Sequence, residues 1–177
     1  MRSAISIALL LTLGLSASGQ DVALVAPNED AERLFKEGEQ AYQAGAYAKA
    51  IGFFNEVIAL DPDHLNAYLQ RGFCFTLQRE YVRAVGDFSA VIERKNDHLW
   101  AYTSRGSAYA KLKKHDLAMR DFDRVIELDP RNEEAFNNRG WSKKALGNTK
   151  GACQDWKTSQ KMGNAEAKII QTNNRCK

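Results

Sequence analysis

A chain of 177 residues with 44% hydrophobic and 27% charged side chains has the make-up of one folded domain rather than of a disordered or fibrous polymer. Its 25 lysines and arginines are interspersed with 22 aspartates and glutamates, and a net charge of +3 without basic blocks leaves no footprint for nucleic acid. The three cysteines have no CxxC spacing and the three prolines avoid the predicted helix interiors, so the composition points to an all-helical chain without a metal or other cofactor.

Met1 to Gly19 reads as a secretory signal peptide. Arg2 gives the positive start, and Ala4 to Leu15 is an apolar run too short to span a bilayer comfortably. Ala17-Ser18-Gly19 offers the small residues for cleavage before Gln20; a retained anchor is the alternative. No cysteine follows, which excludes a lipid anchor there. On this reading the mature protein has no membrane span and works outside the cytoplasm, in a periplasm or a secretory space. Residues 20–30 contain Pro27 and Asn28, show no sustained helical period, and are expected to form a flexible lead-in.

From Ala31 onward one recipe recurs. The strings NAYLQRG, WAYTSRG and EAFNNRG begin at Asn66, Trp100 and Glu134, each 34 residues after the last. In that register Ala67, Ala101 and Ala135 coincide, as do Tyr68, Tyr102 and Phe136, then Gly72, Gly106 and Gly140. Further on, Ala84, Ala118 and Ala152 align, as do Phe88, Phe122 and Trp156. The first unit, 31–64, keeps Leu34, Gly38, Ala50, Phe54 and Pro62 in the same slots, with a helix break at Gly45. Unit two covers 65–98 and carries Asn96 where units one and three have proline. Gly72 and Ala84 mark the place where its two helices cross closely. Unit three covers 99–132 and ends at Asp129-Pro130. Unit four, 133–164, is degenerate: Thr158, Ser159 and Gln160 replace most of the apolar stripe, as suits a terminal unit with one face in water. Residues 165–177 read as a capping helix and tail, N-capped by Asn164, with Ile169 and Ile170 facing back.

These marks resemble the tetratricopeptide repeat, on Tyr102, Gly106, Ala118, Phe122 and Pro130 and their counterparts over roughly Ala31 to Asn164. The resemblance implies an all-α fold, a right-handed α-solenoid of about four helix-turn-helix units whose first helices line a concave groove. It also implies protein binding rather than catalysis.

Two patterns stand out within it. Arg71, Arg105 and Arg139 recur together with Asp87, Asp121 and Asp155, whereas unit one has Glu37 and Phe53 there. The family usually has an apolar residue at the arginine slot, so a desolvated guanidinium needs a partner. Structural ion pairs, within a unit or across neighbours, are the expected use; a row of arginines reading an acidic ligand is the alternative. The second pattern is the groove implied by the family: Phe35, Glu39 and Tyr42; Leu69, Gln70 and Phe73; Trp100, Thr103, Ser104 and Ser107; Asn137, Asn138 and Trp141. Rings interleaved with amides and hydroxyls suit an extended peptide, although packing between helices is the other use for rings such as Tyr42, Phe73, Trp100 and Trp141.

Chaperone-binding members of the family clamp a carboxylate with cations. The matching positions here hold Phe35, Glu39, Gln70, Trp100 and Ser104, and a start one unit later gives Leu69, Phe73, Ser104, Glu134 and Asn138. Neither set carries a cation, which argues against a heat-shock co-chaperone. No catalytic constellation is present: His64 and His98 read as loop residues and His115 as exposed. Cys74 reads as a buried thiol, and Cys153 and Cys176 could form a disulfide in an exported protein. The sequence therefore points to a non-enzymatic module for an unnamed protein or peptide. An envelope scaffold working through its convex face or ends, and a self-associating solenoid, stay open.

Overall fold

The computed structural model of the chain describes residues 27–176. The expected signal peptide and most of the lead-in lie outside the described residues. Among those residues there are nine α-helices and no strand: α1 (Pro27–Gln43), α2 (Tyr47–Leu60), α3 (Leu65–Leu77), α4 (Tyr81–Arg94), α5 (Leu99–Lys111), α6 (His115–Leu128), α7 (Glu133–Ala145), α8 (Thr149–Lys161) and α9 (Ala165–Asn173).

The lead-in expectation fails at its end, because α1 begins at Pro27 rather than after Asp30. Proline serves as a first helical residue, where its missing N–H would lack a partner anyway. Glu29 and Asp30 then place negative charge on the positive end of the helix dipole, and Arg33 ties Asp30 to Glu37 one turn on.

Helices pair into antiparallel hairpins, α1 with α2 through α7 with α8, and the hairpins stack in chain order. Beyond sequential neighbours, the helices that approach most are α1 with α3 and α5 with α7, all of them first helices. A stack whose first helices crowd together curves toward them, so they form the inner face. Every hairpin turns on a residue with positive φ in one repeat slot: Gly45, Arg79, Lys113 and Gly147. Glycine takes that conformation freely, whereas Arg79 and Lys113 adopt it against the steric preference of a side chain.

The crossing inside each hairpin is set by a glycine against a ring. A Cβ on Gly72 would lie 2.7 Å from Phe88, one on Gly106 2.8 Å from Phe122, and one on Gly140 2.6 Å from Trp156. The ring is what the glycine admits, and Ala84, read from the sequence as part of the same crossing, is fully buried. Phe54, Phe88, Phe122 and Trp156 fill these crossings and are almost wholly buried, and Val57, Val91 and Val125 lie beside them without exposure.

In unit four the valine slot holds Ser159. It is fully buried rather than turned to solvent, and its hydroxyl donates to the Glu133 carbonyl at 2.8 Å. The polar stripe of this unit is thus partly absorbed by hydrogen bonding inside the stack. Helix α9 covers α8 through the buried Ala167 and through Gln171, which donates to the Trp156 carbonyl and to Gln160. Ile170 is half-buried against this cap, whereas Ile169 is exposed, not facing back. A disulfide between Cys153 and Cys176, with Cα atoms 5.5 Å apart, fastens the end of the cap to α8.

Since the ring behind Gly106 cannot withdraw without opening the hairpin, Gly106→Ala is expected to cost about 1–3 kcal/mol through overpacking. Denaturant unfolding monitored by circular dichroism checks it.

Candidate functional site

Each first helix from α3 onward starts on a side chain that accepts the N–H of a buried alanine. His64 Nδ1 accepts from Ala67 at 3.0 Å and His98 Nδ1 from Ala101 at 3.2 Å. Asn132 and Asn164 do the same for Ala135 and Ala167. The two histidines are therefore N-caps, a role the sequence reading missed although His64, His98 and Asn132 share one register slot. Only a ring unprotonated at Nδ1 can accept. Burial and the nearby Lys95 pull the His98 pKa below the ordinary histidine value.

The arginines turn into the stack. Arg71 donates Nε and Nη2 to the two carboxylate oxygens of Asp87 at 2.9 and 2.7 Å. Arg105 does so to Asp121 at 2.9 and 2.8 Å, and Arg139 to Asp155 at 2.9 and 2.8 Å. All three pairs are intra-unit. The remaining Nη1 reaches back to the second helix of the preceding unit: to Asn55 at 2.7 Å, Ser89 at 3.0 Å and Asp123 at 2.6 Å. Asn55, Ser89 and Asp123 also share a slot, and only their common capacity to accept could have revealed it in the sequence. Rings flank the guanidiniums: Tyr68 and Phe75 beside Arg71, Tyr102 and Tyr109 beside Arg105, Phe136 beside Arg139. In unit four Lys143 takes the place of Tyr109 and adds a second cation to Asp155 at 2.8 Å.

Burial pushes the carboxyls of Asp87 and Asp121 above the ordinary range, against the pull of their arginines. Burial also disfavours the charge on Arg105, but its bonds to Asp121 hold its pKa above the usual value. Desolvation opposes pairing at Asp87, Asp121 and Arg105, and a severed pair would leave a stranded charge.

The inner face of the first helices is only partly what the sequence implied. Phe35 is a core residue, not a groove residue: it is buried, 5.7 Å from the Phe54 ring and 4.7 Å from His64. Leu69 and Phe73 are half-buried against the core, with Phe73 5.5 Å from Phe88, and Glu39 and Gln70 are half-buried. Thr103 is buried and its hydroxyl bonds back to the Leu99 carbonyl. Tyr42 is half-buried and packs on Tyr47. The open part runs from unit two to unit four. Trp100 is 67% exposed, Leu77 50% and Trp141 43%. Trp141 stands edge-on to the buried Trp156 with Lys144 above it. Between α5 and α7 lies a cleft of about 270 Å³ lined by Ser107, Ala110, Lys111, Phe122, Asn138 and Trp141. Ser104 is half-buried on α5, and Asn137, next to Asn138, is half-buried with its Oδ1 lacking a hydrogen-bond partner. Leu77 and Lys111 were not picked out from the sequence; they share the last register position of their first helices.

No group of three or more His, Cys, Asp or Glu side chains that could hold a metal occurs among the described residues. Cys74 is buried, and desolvation pushes its thiol up to about 11, well away from a reactive thiolate. His115 is half-buried rather than exposed, and its Nδ1 has no hydrogen-bond partner.

Residues 31–64 and residues 99–132 each match a family model described as tetratricopeptide repeat. No curated protein sequence is significantly similar to the chain. Among solved structures, the first such domain of Spaghetti (RPAP3), bound to the HSP90 peptide SRMEEVD, superposes with a TM-score of 0.65 at 27% identity, covering 67% of this chain and 94% of that one. The domain of Arabidopsis OM64 gives 0.63 at 25% identity, over 67% and 98%. MamA from Desulfovibrio magneticus gives 0.73 at 21% identity, over 77% of each chain, a likeness of fold.

Asp121→Ala is expected to lower unfolding stability by about 3 kcal/mol, because Arg105 keeps only Ser89 and its rings; an unchanged denaturation midpoint would remove the ladder from the account of stability. For His98 the folded state binds fewer protons than the unfolded state between the depressed pKa and 6.5. The stability of the cap is therefore complete above that window and is lost as pH falls through it. His98→Asn, which caps without titrating, is expected to flatten that slope in melts taken at stepped pH.

Proposed function

Because this chain is a tetratricopeptide repeat protein, we propose that it is a non-catalytic module that holds an extended segment of a partner protein against the inner face of its first helices. The observation that carries this is the exposure of Leu77, Trp100 and Trp141 on that face, while the rings that fill the hairpin crossings, Phe54, Phe88, Phe122 and Trp156, are buried. Large rings kept in water on a rigid scaffold are anchors awaiting a surface. Ser104, Ser107 and Asn138 lie among them and can bond a peptide backbone as donor or acceptor. The peptide in the RPAP3 domain supports the mode of binding, but the five clamp positions here hold Phe35, Glu39, Gln70, Trp100 and Ser104, so the ligand differs from a carboxylate terminus seized by cations.

The work is done outside the cytoplasm. A disulfide is maintained in oxidising compartments, and the apolar run Ala4 to Leu15 behind Arg2 supports export of the chain.

A second reading has one observation behind it. At the turn edge, Val82 is 70% exposed beside a shallow cleft lined by Tyr81, Arg83 and Leu112, which suits a scaffold that docks through its edge. A photoreactive aromatic residue replacing Trp100 or, separately, Val82 separates the two. Activated in whole cells and recovered from the extracytoplasmic fraction, the chain is expected to cross-link one partner from position 100 and none from position 82. The reverse pattern overturns the groove reading, and recovery only from the cytoplasm with free thiols overturns export.

A further inference from the structure

The cleft between α5 and α7 has a defined chemistry. Its floor is the ring of Phe122, its walls are Ala110 and the half-exposed Trp141, and its polar rim is Ser107 and Asn138. The only charged group lining it is Lys111. Lys111 is exposed and makes no ion pair with any described residue. A second cation, Lys144, lies 5.3 Å from the Trp141 ring and hydrogen-bonds Asn174. One carboxylate, Glu134, stands at the rim, where it accepts from Asn138 and keeps its negative charge.

Resting on the proposed groove, we infer that this cleft takes one aromatic or branched aliphatic side chain of the bound segment, and that a carboxylate close to that side chain on the same segment pairs with Lys111. The apolar half follows from the lining. A side chain that enters displaces water from Phe122, Ala110 and Trp141, surfaces that offer water few hydrogen bonds, and a polar or charged one would lose its own hydration without replacement. The acidic half follows from the rim. Near the mouth the two cations Lys111 and Lys144 outweigh the carboxylate of Glu134 at the Asn138 rim, so a lysine or arginine beside the anchor meets repulsion and an aspartate or glutamate attraction. This is a different arrangement from a clamp on a chain terminus: the anchor is an internal side chain and the acid needs only to be its neighbour. The ladder leaves the cleft its shape, because Asp121 and Phe122 are adjacent and Arg105 holds Asp121 by two bonds.

A library of short random peptides displayed against the full purified chain tests both halves, with the change in the chain's own tryptophan fluorescence on titration with each recovered peptide as the direct measurement. The native chain is expected to enrich peptides with an aromatic or aliphatic residue beside Asp or Glu and to deplete those with Lys or Arg there. Changing that acid to its amide should weaken binding about threefold to fivefold, the worth of an exposed ion pair, and raised salt should erase the difference. Replacing the anchor by serine should weaken binding by about tenfold or more. Lys111→Glu should invert the preference toward basic neighbours while the fold, followed by circular dichroism, stays unchanged. Enrichment that depends on Trp100→Ser and Trp141→Ala but shows no charge preference, or no inversion in Lys111→Glu, overturns this inference and leaves the groove reading standing. No enrichment, or enrichment indifferent to the tryptophans, overturns both.

Discussion

A guanidinium taken out of water must find acceptors for its donors, and in this chain the search for a third acceptor joins one hairpin to the next. Asp87, Asp121 and Asp155 satisfy two donors of their arginines within a unit. The third is met by Asn55, Ser89 or Asp123 on the preceding second helix. Apolar packing between hairpins is tolerant of sliding; a forked donor bound on both sides is not. The Gly–ring crossing fixes the geometry inside each hairpin, and the ladder fixes each hairpin against its neighbour. With both fixed, the spacing between Trp100 and Trp141 along the inner face is a property of the scaffold rather than of a ligand.

The end units show the same constraint by departing from it. An arginine in unit one would have no preceding second helix among the described residues to receive its third donor. Glu37 stands there and pairs with Arg33 on its own helix, and Phe53 fills the slot of the aspartate. Unit four has a preceding unit and keeps its arginine, but it adds Lys143 to Asp155 and swaps the buried valine for Ser159. The stack then needs a lid, and α9 supplies one through Ala167 and Gln171. A helix of nine residues holds its shape poorly alone, so the bond from Cys176 to Cys153 restrains what packing leaves weak.

What could be read from the sequence follows from this division of labour. Spacing of 34 residues carries the hairpins, since a glycine and an aromatic ring must meet in every unit. The arginine–aspartate partnership was legible because both members recur together. Its third member was not, because Asn55, Ser89 and Asp123 share a function and not an identity. The same holds for the caps His64, His98 and Asn132, which are chemically unlike yet accept the same bond; Asn164, an asparagine directly before the last helix, was the one cap the sequence revealed. The turn slot hid in the same way, since Arg79 and Lys113 adopt the backbone that Gly45 and Gly147 advertise. Recurrence of a residue type is visible in a sequence; recurrence of a hydrogen-bonding capacity is visible only when the partner is in place.

The inner face was the least legible part for a related reason. Helical periodicity places Phe35, Leu69, Thr103 and Asn137 at one register position and cannot say how far the neighbouring helix covers each. Phe35 is large and meets Phe54 and His64, so it joins the core. Thr103 is small enough to sink and bond its own helix. Trp100, near the start of α5, projects into water at 67% exposure because no neighbouring ring claims it; Trp141 is held upright by the edge of Trp156 and stays half-open. The exposed anchors are therefore those whose helix neighbours are already satisfied. In units two to four those neighbours are satisfied by the buried rings and the ladder behind them, so the rigidity of the stack and the availability of its inner surface have one cause.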